Sequence, residues 1–364
     1  MASVESVQSA IARVVYPGID RPLVELGLVQ AKVDGARAIL EVDLTTPASP
    51  HRAVIEKGLR EAALSVSGIE EVELRWNPLV RPRDMAPDDP IPNVKNVVLV
   101  LSGKGGVGKS SVAVNLSIAL ARAGAAVGLL DADIYGPSIP TMMGIQGRPR
   151  GVDGKIEPLA RSGVKLMSIG FLLEDDRTAV IWRGPMLHGA LMQFVGDVTW
   201  GKLDYLLFDL PPGTGDIALT ISQRVRTTGA IVVTTPQEVA LADVYKAVAM
   251  CQKVNIPILG VVENMSTYVC PQCRHESALF GSGGGEKVAE FAGTKVIGRI
   301  PLDPLVREWG DKGTPVVEAR ADSPGAIAFV STAEALADRV TLEHYARTGT
   351  LEPIKQKTRL PIMR

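Results

Sequence analysis

A loop rich in glycine and lysine, "LSGKGGVGKSS", lies between the apolar run "NVVLVL" and a stretch with helical spacing. It fits the pattern G-x-x-x-x-G-K-[ST] at every fixed position, through Gly103, Lys104, Gly105, Gly106, Val107, Gly108, Lys109 and Ser110. In this pattern the glycines let backbone N–H groups point at phosphate oxygens, and the start of the following helix adds positive charge. We therefore predict that the loop binds a nucleotide, with Lys109 at the β and γ phosphates and Ser110 on Mg²⁺.

Carboxylates end two of the apolar runs that accompany this loop. Asp131 ends "VGLLD" and Asp133 follows it, while Asp209 ends "YLLFD". Because residues at the carboxyl ends of parallel strands face the nucleotide crevice, we predict that Asp209 binds Mg²⁺. The alternative for Asp131 and Asp133 is a turn or a helix cap, since aspartate is common at such positions. The next stretch, "PPGTGD", places Gly213 and Gly215 where they could rearrange when the γ-phosphate leaves.

Two of the three cysteines, Cys270 and Cys273, form a C-x-x-C pair after another apolar run. Such a pair by itself fits a redox centre, half of a zinc site or part of an iron–sulfur site. Because a structural zinc ion or a Cys₄ cluster takes four ligands, one chain supplies half of the set and two chains supply all of it. The third cysteine, Cys251, lies in a stretch with helical spacing, and we predict that it is buried and inert.

Short apolar runs alternate along the chain with stretches of helical spacing. This pattern predicts the strands and helices that position these residues. Continuous apolarity indicates strands buried on both faces. Their alternation with helices predicts an α/β fold, a doubly wound and mostly parallel sheet. We predict strands at residues 97–101, 127–131, 164–169, 205–210, 230–235, 258–262 and 295–300.

A proline-rich stretch, residues 77–96, separates this region from a smaller one. Its five prolines and mixed charges show neither helical nor alternating spacing, so we predict an exposed linker. Before it, helix-spaced stretches flank two strand-like runs around Asp34 and Gly35, which predicts a small α/β unit with a hairpin. The predicted domains are residues 1–80 and 95–364, joined by a linker at 81–94.

Composition argues against several classes of protein. The chain has 364 residues and a net charge of −1, which gives no support for bulk binding to nucleic acid or to an anionic membrane. No apolar run approaches the ~18–20 residues that span a bilayer, and no secretory signal is visible. With so few cysteines we expect no disulfide framework, and we predict a cytoplasmic protein.

The combination of motifs resembles the Mrp/ApbC-type iron–sulfur cluster carrier ATPases, in the class of MinD, ParA and the nitrogenase iron protein. The matching stretches are "GKGGVGKSS", "DADIYGPSIP", "IWRGPM", "DLPPGTGD", "TTPQEVALADV", "VENMS", "CPQC" and "FGSGGGEKVA". The segment before the linker is similar to a small iron–sulfur assembly domain. The resemblance implies a homodimer that binds and hydrolyses ATP and holds a [4Fe–4S] cluster between Cys270 and Cys273 of both subunits. It also implies cluster scaffold proteins and apo iron–sulfur proteins as partners, and neither nucleic acid nor membrane.

The same resemblance implies roles for single residues. In this class the early lysine, here Lys104, crosses the dimer interface and touches the partner's nucleotide, supplying a cation in trans as an arginine finger does. Asp133 occupies the position that orients the attacking water, and Asn264 the position that reads the adenine edge. Ser111 continues the nucleotide loop into the helix, and the stretch from Pro301 closes the base pocket.

One departure from the resemblance concerns the small domain. Stand-alone relatives carry a cysteine in the turn after the second strand, where this sequence has Ser49 in "TTPASPHR". We therefore predict that this domain docks partners and does not bind metal.

Two other functions would use the same loop. A positioning or partitioning ATPase, which acts on membrane or DNA, would need a C-terminal amphipathic helix or a basic surface. Here Pro353 and Pro361 leave only seven residues between them. A reductase like the nitrogenase iron protein would carry its cluster cysteines on two separated segments. The C-x-x-C pair therefore favours the carrier.

Overall fold

The computed structural model describes residues 2–133, 136–172, 184–213, 216–270, 272–273 and 275–351. Within these residues the chain divides into two units. The smaller consists of Met1–Pro82 together with the residues from Thr341 onward, and the larger is Arg83–Val340. Both contain helices and strands, as the sequence predicts.

The smaller unit combines a three-stranded sheet with two helices. Its elements are helix α1 (Val4–Ile11), strands β1 (Val15–Tyr16), β2 (Arg21–Pro22), β3 (Val29–Asp34) and β4 (Arg37–Leu44), helix α2 (Arg52–Leu64) and strand β5 (Glu71–Pro78). Strands β3 and β4 form the predicted antiparallel hairpin, and Gly35 in its turn has a φ of +59°, which glycine adopts readily. Strand β5 pairs parallel to β4, so α2 is the crossover between them.

The end of the chain also belongs to the smaller unit. The Thr341 hydroxyl donates to Thr45 Oγ1 at 3.1 Å, and Leu351 lies in the same hydrophobic core as Leu40 and Leu59. The sequence prediction placed these residues in the larger domain. They group with the smaller unit because their apolar side chains complete its core, which the order of residues along the chain does not indicate.

A mostly parallel sheet forms the centre of the larger unit. Its strands, with a separate hairpin of β8 and β9, are β6 (Val94–Leu101), β7 (Val127–Asp131), β8 (Arg150–Val152), β9 (Lys155–Glu157), β10 (Leu159–Arg161), β11 (Val164–Ser168), β12 (Leu203–Asp209), β13 (Gly229–Thr234), β14 (Ile258–Val269), β15 (Glu276–Ser277) and β16 (Val296–Leu302). The order across the described sheet is β10-β11-β7-β12-β6-β13-β14-β15, with β16 paired to β14. Only the β10–β11 and β14–β15 pairs are antiparallel among these strands. The predicted α/β sheet is confirmed.

Helices connect these strands. They are α3 (Lys109–Arg122), α4 (Ile139–Met142), α5 (Gly184–Gly196), α6 (Asp216–Arg224), α7 (Glu238–Lys253), α8 (Gly284–Ala292), α9 (Pro304–Asp311), α10 (Val316–Ala319) and α11 (Pro324–Thr348), with a 3₁₀ turn at Ile169–Leu172. The central strand β6 is fully buried at Val97, Val98, Leu99 and Val100, because strands flank it on both sides and helices such as α3 pack on the sheet. Its carboxyl end therefore offers a rigid base for the nucleotide loop that follows.

The stretch predicted as an exposed linker is partly buried instead. Arg83 donates to Asp89 Oδ1 at 2.9 Å and to the Ile91 carbonyl at 3.2 Å, and both charged side chains are 1% exposed. The Ile91 amide donates to the same carboxylate. The ion pair and its hydrogen bonds compensate the buried charges, so the proline-rich stretch from Arg83 onward is packed structure of the larger unit although it has no regular spacing.

The described part of the chain contains no helix that is both long enough and apolar enough to cross a membrane.

Candidate functional site

The predicted nucleotide loop joins strand β6 to helix α3. Gly106 and Gly108 have φ angles of +81° and +78°, a region that side-chain-bearing residues rarely adopt. Gly103 is required for a different reason, because a Cβ there would overlap the backbone of Asp243 and Val244 in α7. Packing against α7 thus fixes the start of the loop, and left-handed backbone shapes its end.

Lys109 lies at the centre of a group of buried carboxylates. Its Nζ donates to Asp209 Oδ1 at 2.6 Å and lies 3.7 Å from Asp133 Oδ2. The Ser110 hydroxyl donates to the second oxygen, Oδ2, of Asp209 at 2.5 Å. Lys109 is 6% exposed and Asp209 is fully buried, so each charge depends on the other for compensation.

Asp131 is a buried carboxylate next to this group, and it bonds to the backbone of Asp133. Its carboxylate accepts a hydrogen bond from Ser168 at 2.8 Å and another from the Asp133 amide at 3.2 Å. Burial and the nearby charge of Asp209 raise the pKa of Asp131 to about 8. Burial also raises the pKa of Asp209, but the ion pair with Lys109 and the hydrogen bond from Ser110 oppose that shift. The ion pair with Lys109 thus favours the charged form of Asp209, and Asp131 orients the backbone at Asp133.

Two adjoining cavities meet at this loop. The first, of about 210 Å³, is lined by the loop together with Asp133, Ser138 and Met142. The second, also about 210 Å³, shares Met142 with the first and extends to Asn264 and to helix α9. The first cavity is lined by the glycines of the loop and by the Lys109 cation, and the second by apolar side chains such as Met265 and Leu302 and by the Asn264 amide.

The structure places the other predicted residues around these cavities. Asn264 is buried and its Nδ2 donates to the Val107 carbonyl at 2.9 Å, so it holds the loop while lining the second cavity. Ser111 lines both cavities. Lys104 is exposed and lines the first cavity. Its carbonyl accepts a hydrogen bond from Ser102.

Of the two glycines in "PPGTGD", the structure describes one. Gly213 has a φ of +115° and its amide donates to the Ser102 carbonyl at 3.1 Å, so this stretch contacts the start of the nucleotide loop. Gly215 lies outside the described residues. The stretch "IWRGPM" begins outside them as well.

The cysteine pair lies at the end of strand β14, in a short β-hairpin. Strand β14 runs to Val269 and pairs antiparallel with β15, and the Cys270 amide donates to the His275 carbonyl at 3.0 Å. The sequence placed the pair only after an apolar run and did not indicate a hairpin. The hairpin forms because residues on both sides of the cysteines pair with each other, which no apolar alternation reveals.

The two thiols of this cysteine hairpin, residues 270–275, differ in exposure. Cys270 is half-buried and Cys273 is exposed. Hydrogen bonds from the backbone at Cys273 and Gln272, and from the Cys273 side chain, lower the pKa of Cys270. In the described part of the chain, no group of three or more histidine, cysteine, aspartate or glutamate residues could hold a metal ion. Each chain thus presents two soft sulfur donors, of the type that bind iron–sulfur clusters.

Cys251 behaves as predicted. It is fully buried in α7, and burial raises the pKa of its thiol to about 12. It is therefore an inert packing residue at neutral pH.

Comparison with known families decides between the predicted functions. Residues 93–337 match the family described as the NUBPL iron-transfer P-loop NTPase. The chain belongs to this family. Residues 5–74 match a second family, described as an iron–sulfur cluster assembly protein. Both matches fall where the sequence resemblance predicts them.

Two relatives of this iron-transfer P-loop NTPase have the same name. The chain is 46% identical over 342 residues to the iron–sulfur cluster carrier protein of Deinococcus radiodurans, which covers 93% of this chain and 96% of the relative. It is 47% identical over 311 residues to the protein of the same name from Escherichia coli K12, over 84% of this chain and 83% of the relative. The predicted resemblance is confirmed, and the carrier is favoured over a positioning ATPase.

Solved structures confirm the fold. A nucleotide-binding protein from Archaeoglobus fulgidus, in complex with ADP, aligns with a TM-score of 0.55 at 41% identity, over 62% of this chain and 88% of that one. The cell division ATPase MinD of Pyrococcus furiosus aligns with a TM-score of 0.51 at 25% identity, over 67% and 98%.

The sequence analysis missed several residues of the site in this P-loop NTPase. Ser168 holds Asp131, and its signal was a small polar residue at the end of an apolar run. Ser138 and Met142 line the phosphate cavity, although nothing in their types or spacing indicates it. They reach the loop because α4 packs against α3, which is a tertiary contact.

Proposed function

We propose that this chain is an ATP-hydrolysing carrier of iron–sulfur clusters. In this proposal a homodimer holds one [4Fe–4S] cluster, as cargo, between Cys270 and Cys273 of both subunits. The observation that carries the proposal is the cysteine hairpin. It presents two accessible sulfur donors and no third ligand among the described residues, in a chain whose relatives are named carrier proteins.

The nucleotide part of the proposal rests on Lys109 and Asp209. Lys109 is already held at the loop, so phosphates that enter the first cavity can replace the carboxylate as its partner. The Ser110 hydroxyl and Asp209 carboxylate are oxygen donors of the kind that Mg²⁺ prefers, so these residues fit the ion. Mg²⁺, when bound, neutralises charge on the β and γ phosphates.

Two further residues have proposed roles in hydrolysis. Asp133 lines the first cavity and is 14% exposed, so its carboxylate can accept a hydrogen bond from a water beside the γ-phosphate. Lys104 lines the same cavity from the exposed side of the loop. We assign it the role of a cation supplied to the nucleotide of the partner subunit, where it would stabilise charge in the transition state.

The base of the nucleotide is assigned to the second cavity, beside Asn264. Its amide group can exchange part of its bond to the Val107 carbonyl for the edge of an adenine. Asn264 would then contact both the loop and the adenine, so binding of the nucleotide would act directly on the loop.

The cargo part of the proposal rests on the chemistry of the hairpin. Backbone N–H groups directed at the Cys270 sulfur favour its thiolate form, which is the form that binds iron. Exposure of Cys273 leaves room for a second copy to approach and for an acceptor protein to exchange ligands. The chemistry needs thiols kept reduced, which fits the cytoplasm.

We propose that the smaller unit docks scaffold or acceptor proteins. Ser49 replaces the expected cysteine, and its hydroxyl accepts a hydrogen bond from the His51 amide at 3.3 Å, just before helix α2. Ser49 thus helps to start a helix, and the larger unit is assigned both the nucleotide and the cluster.

The test is anaerobic reconstitution with iron and sulfide of the full chain and of the Cys270→Ala/Cys273→Ala double variant. The wild type is expected to bind on the order of two irons per chain and to become a dimer that absorbs near 400 nm, the region of thiolate-bound clusters. The double variant is expected to bind none and to retain ATPase activity.

Cys251→Ala is the matched control, because that thiol is buried away from solvent. It is expected to load iron as the wild type does. Equal iron in the double variant, or a loaded protein that stays monomeric, would contradict the proposal.

A further inference from the structure

Helix α9 forms one wall of the second cavity and packs against α4 and α10. Val306, Arg307 and Gly310 line the cavity. None of the residues of α9, all of which the structure describes, is fully buried. Because tertiary packing normally supplies most of the stability of a short helix, the way in which its two ends are held adds to the position of α9.

A single carboxylate fixes the first end. Asp303 is the N-cap of α9, and its Oδ1 accepts a hydrogen bond from the Leu305 amide at 2.9 Å. Its other oxygen, Oδ2, accepts one from the Gly325 amide at 3.1 Å, in the first turn of α11. The positive ends of two helices thus share one negative charge, an arrangement that each helix dipole favours.

The approach of these two helices is close. A Cβ at Gly325 would lie 2.9 Å from Val306 Cγ2 and 3.0 Å from Asp303 Oδ2, so a larger residue would push the tether apart. Both carboxylate oxygens already have amide donors. Asp303 itself lines the second cavity, and its carboxylate also sets the position of α9 beside that cavity.

The second end of α9 is held by backbone packing. Gly313, two residues beyond it, lies against Gly144, where added side-chain atoms would collide with backbone. The Arg161 guanidinium donates to the Gly144 carbonyl at 2.8 Å and steadies that contact. With this end fixed, loss of the Asp303 tether would let α9 swing away from the cavity.

We propose that Asp303 is a positioning residue for the nucleobase. By tethering α9 to α11 it sets the width of the second cavity, and so the contribution of the base to nucleotide affinity. The proposal rests on the assignment of the base to that cavity. It separates affinity for the base, which depends on Asp303, from affinity for the phosphates, which depends on the loop.

The test compares two ligands on the full chain by titration calorimetry with Mg²⁺: ADP, which has a base, and inorganic tripolyphosphate, which has none. Asp303→Ala removes both hydrogen bonds and is expected to weaken ADP binding by about tenfold. Tripolyphosphate binding is expected to stay within about twofold of the wild type, because the loop is untouched. Asp197→Ala, which removes an exposed carboxylate paired with Lys155, is the control and should change neither.

A second variant separates the two bonds. Asp303→Ser keeps a helix cap for α9 but is too short to reach Gly325, and it is expected to fall between the wild type and Asp303→Ala. It also keeps the test decisive if the alanine variant folds poorly. Equal loss for both ligands, or unchanged ADP affinity in both variants, would overturn the proposal.

The outcome is independent of the cargo. A wild type that binds ADP but no iron would refute the carrier function and leave this test intact. A wild type that binds pyrophosphate and ADP equally would refute the assignment of the base cavity itself, because both ligands carry two phosphates.

Discussion

The nucleotide loop and the cysteine hairpin are opposite kinds of site. Lys109 and Asp209 are buried and bonded to each other, and nearby Asp131 is held by Ser168 and accepts a hydrogen bond from the Asp133 amide. The cysteine hairpin exposes Cys273 at the surface and adds no further metal ligand within the described residues.

The difference follows from what each site has to do. In the proposed function, phosphoryl transfer depends on charges fixed in advance, so each chain holds Lys109 and Asp209 in place and its partner adds only Lys104. The proposed cargo site has to open to an acceptor, so its ligands lie where another molecule can reach them. Each chain would therefore supply most of a nucleotide site but only half of a cluster site.

The largest expected difference concerns thiol reactivity. Cys273 and Cys270 should react quickly with a chromogenic disulfide reagent. Cys251 should react about 10³-fold more slowly, because it is buried and has a pKa of about 12. Titration of the metal-free protein at pH 8 should give two fast thiols and a third only after denaturation. Cys251→Ala should keep both fast thiols, and Cys273→Ser should lose one. Three fast thiols would contradict the burial of Cys251 and its contrast with the exposed cysteine hairpin.

The second-largest expected effect is on ATP hydrolysis, which should fall while iron uptake stays the same. Lys109→Ala should lower the rate of ATP hydrolysis by roughly 10²–10³-fold, because it removes the cation at the phosphates. It should also lower the melting temperature, because Asp209 loses its partner in a buried site. Iron uptake in reconstitution should not change, since the cysteine hairpin shares no ligand with the loop.

Lys155→Ala is the matched control, because that lysine forms an exposed ion pair with Asp197. Its ATPase activity and melting temperature should match the wild type. Loss of iron uptake in Lys109→Ala would show that the two sites are not independent.

The smallest expected effect is the loss of stability when a glycine of the nucleotide loop is replaced. Gly103→Ala should destabilise the nucleotide-free protein by about 2–3 kcal/mol, because its Cβ would overlap the backbone of α7. Gly106→Ala has no described atom within 4 Å and should cost only the strain of its positive φ, about 1 kcal/mol. Thermal melting measures both. The reverse order would mean that α7 does not support the loop.

Much of the nucleotide site could be predicted from sequence, because its chemistry depends on residues close together in the chain. The spacing from Gly103 to Ser110 specifies a loop, its lysine and its hydroxyl, and apolar runs that end in Asp131 and Asp209 place those carboxylates at strand ends. The α/β class followed from the same runs.

Other features depend on contacts between distant residues, and sequence spacing does not record these. Strand β14 runs seven residues beyond the predicted end at 262, since β15 and β16 supply hydrogen-bond partners for its polar half. The buried pair of Arg83 and Asp89 turns a predicted linker into packed structure.

The amino-acid sequence alone determined which chemistry this protein can carry: a phosphate loop, oxygen donors at strand ends and a pair of thiols. Tertiary structure decided which of these groups are buried and which are exposed to solvent. Strand pairing buries Asp209 against Lys109, leaves the cysteine pair on a hairpin, and brings Asp303 to two helices at once. The physical reason is that burial and hydrogen-bond partnership are properties of the packed chain, whereas donor type and local spacing are properties of its residues.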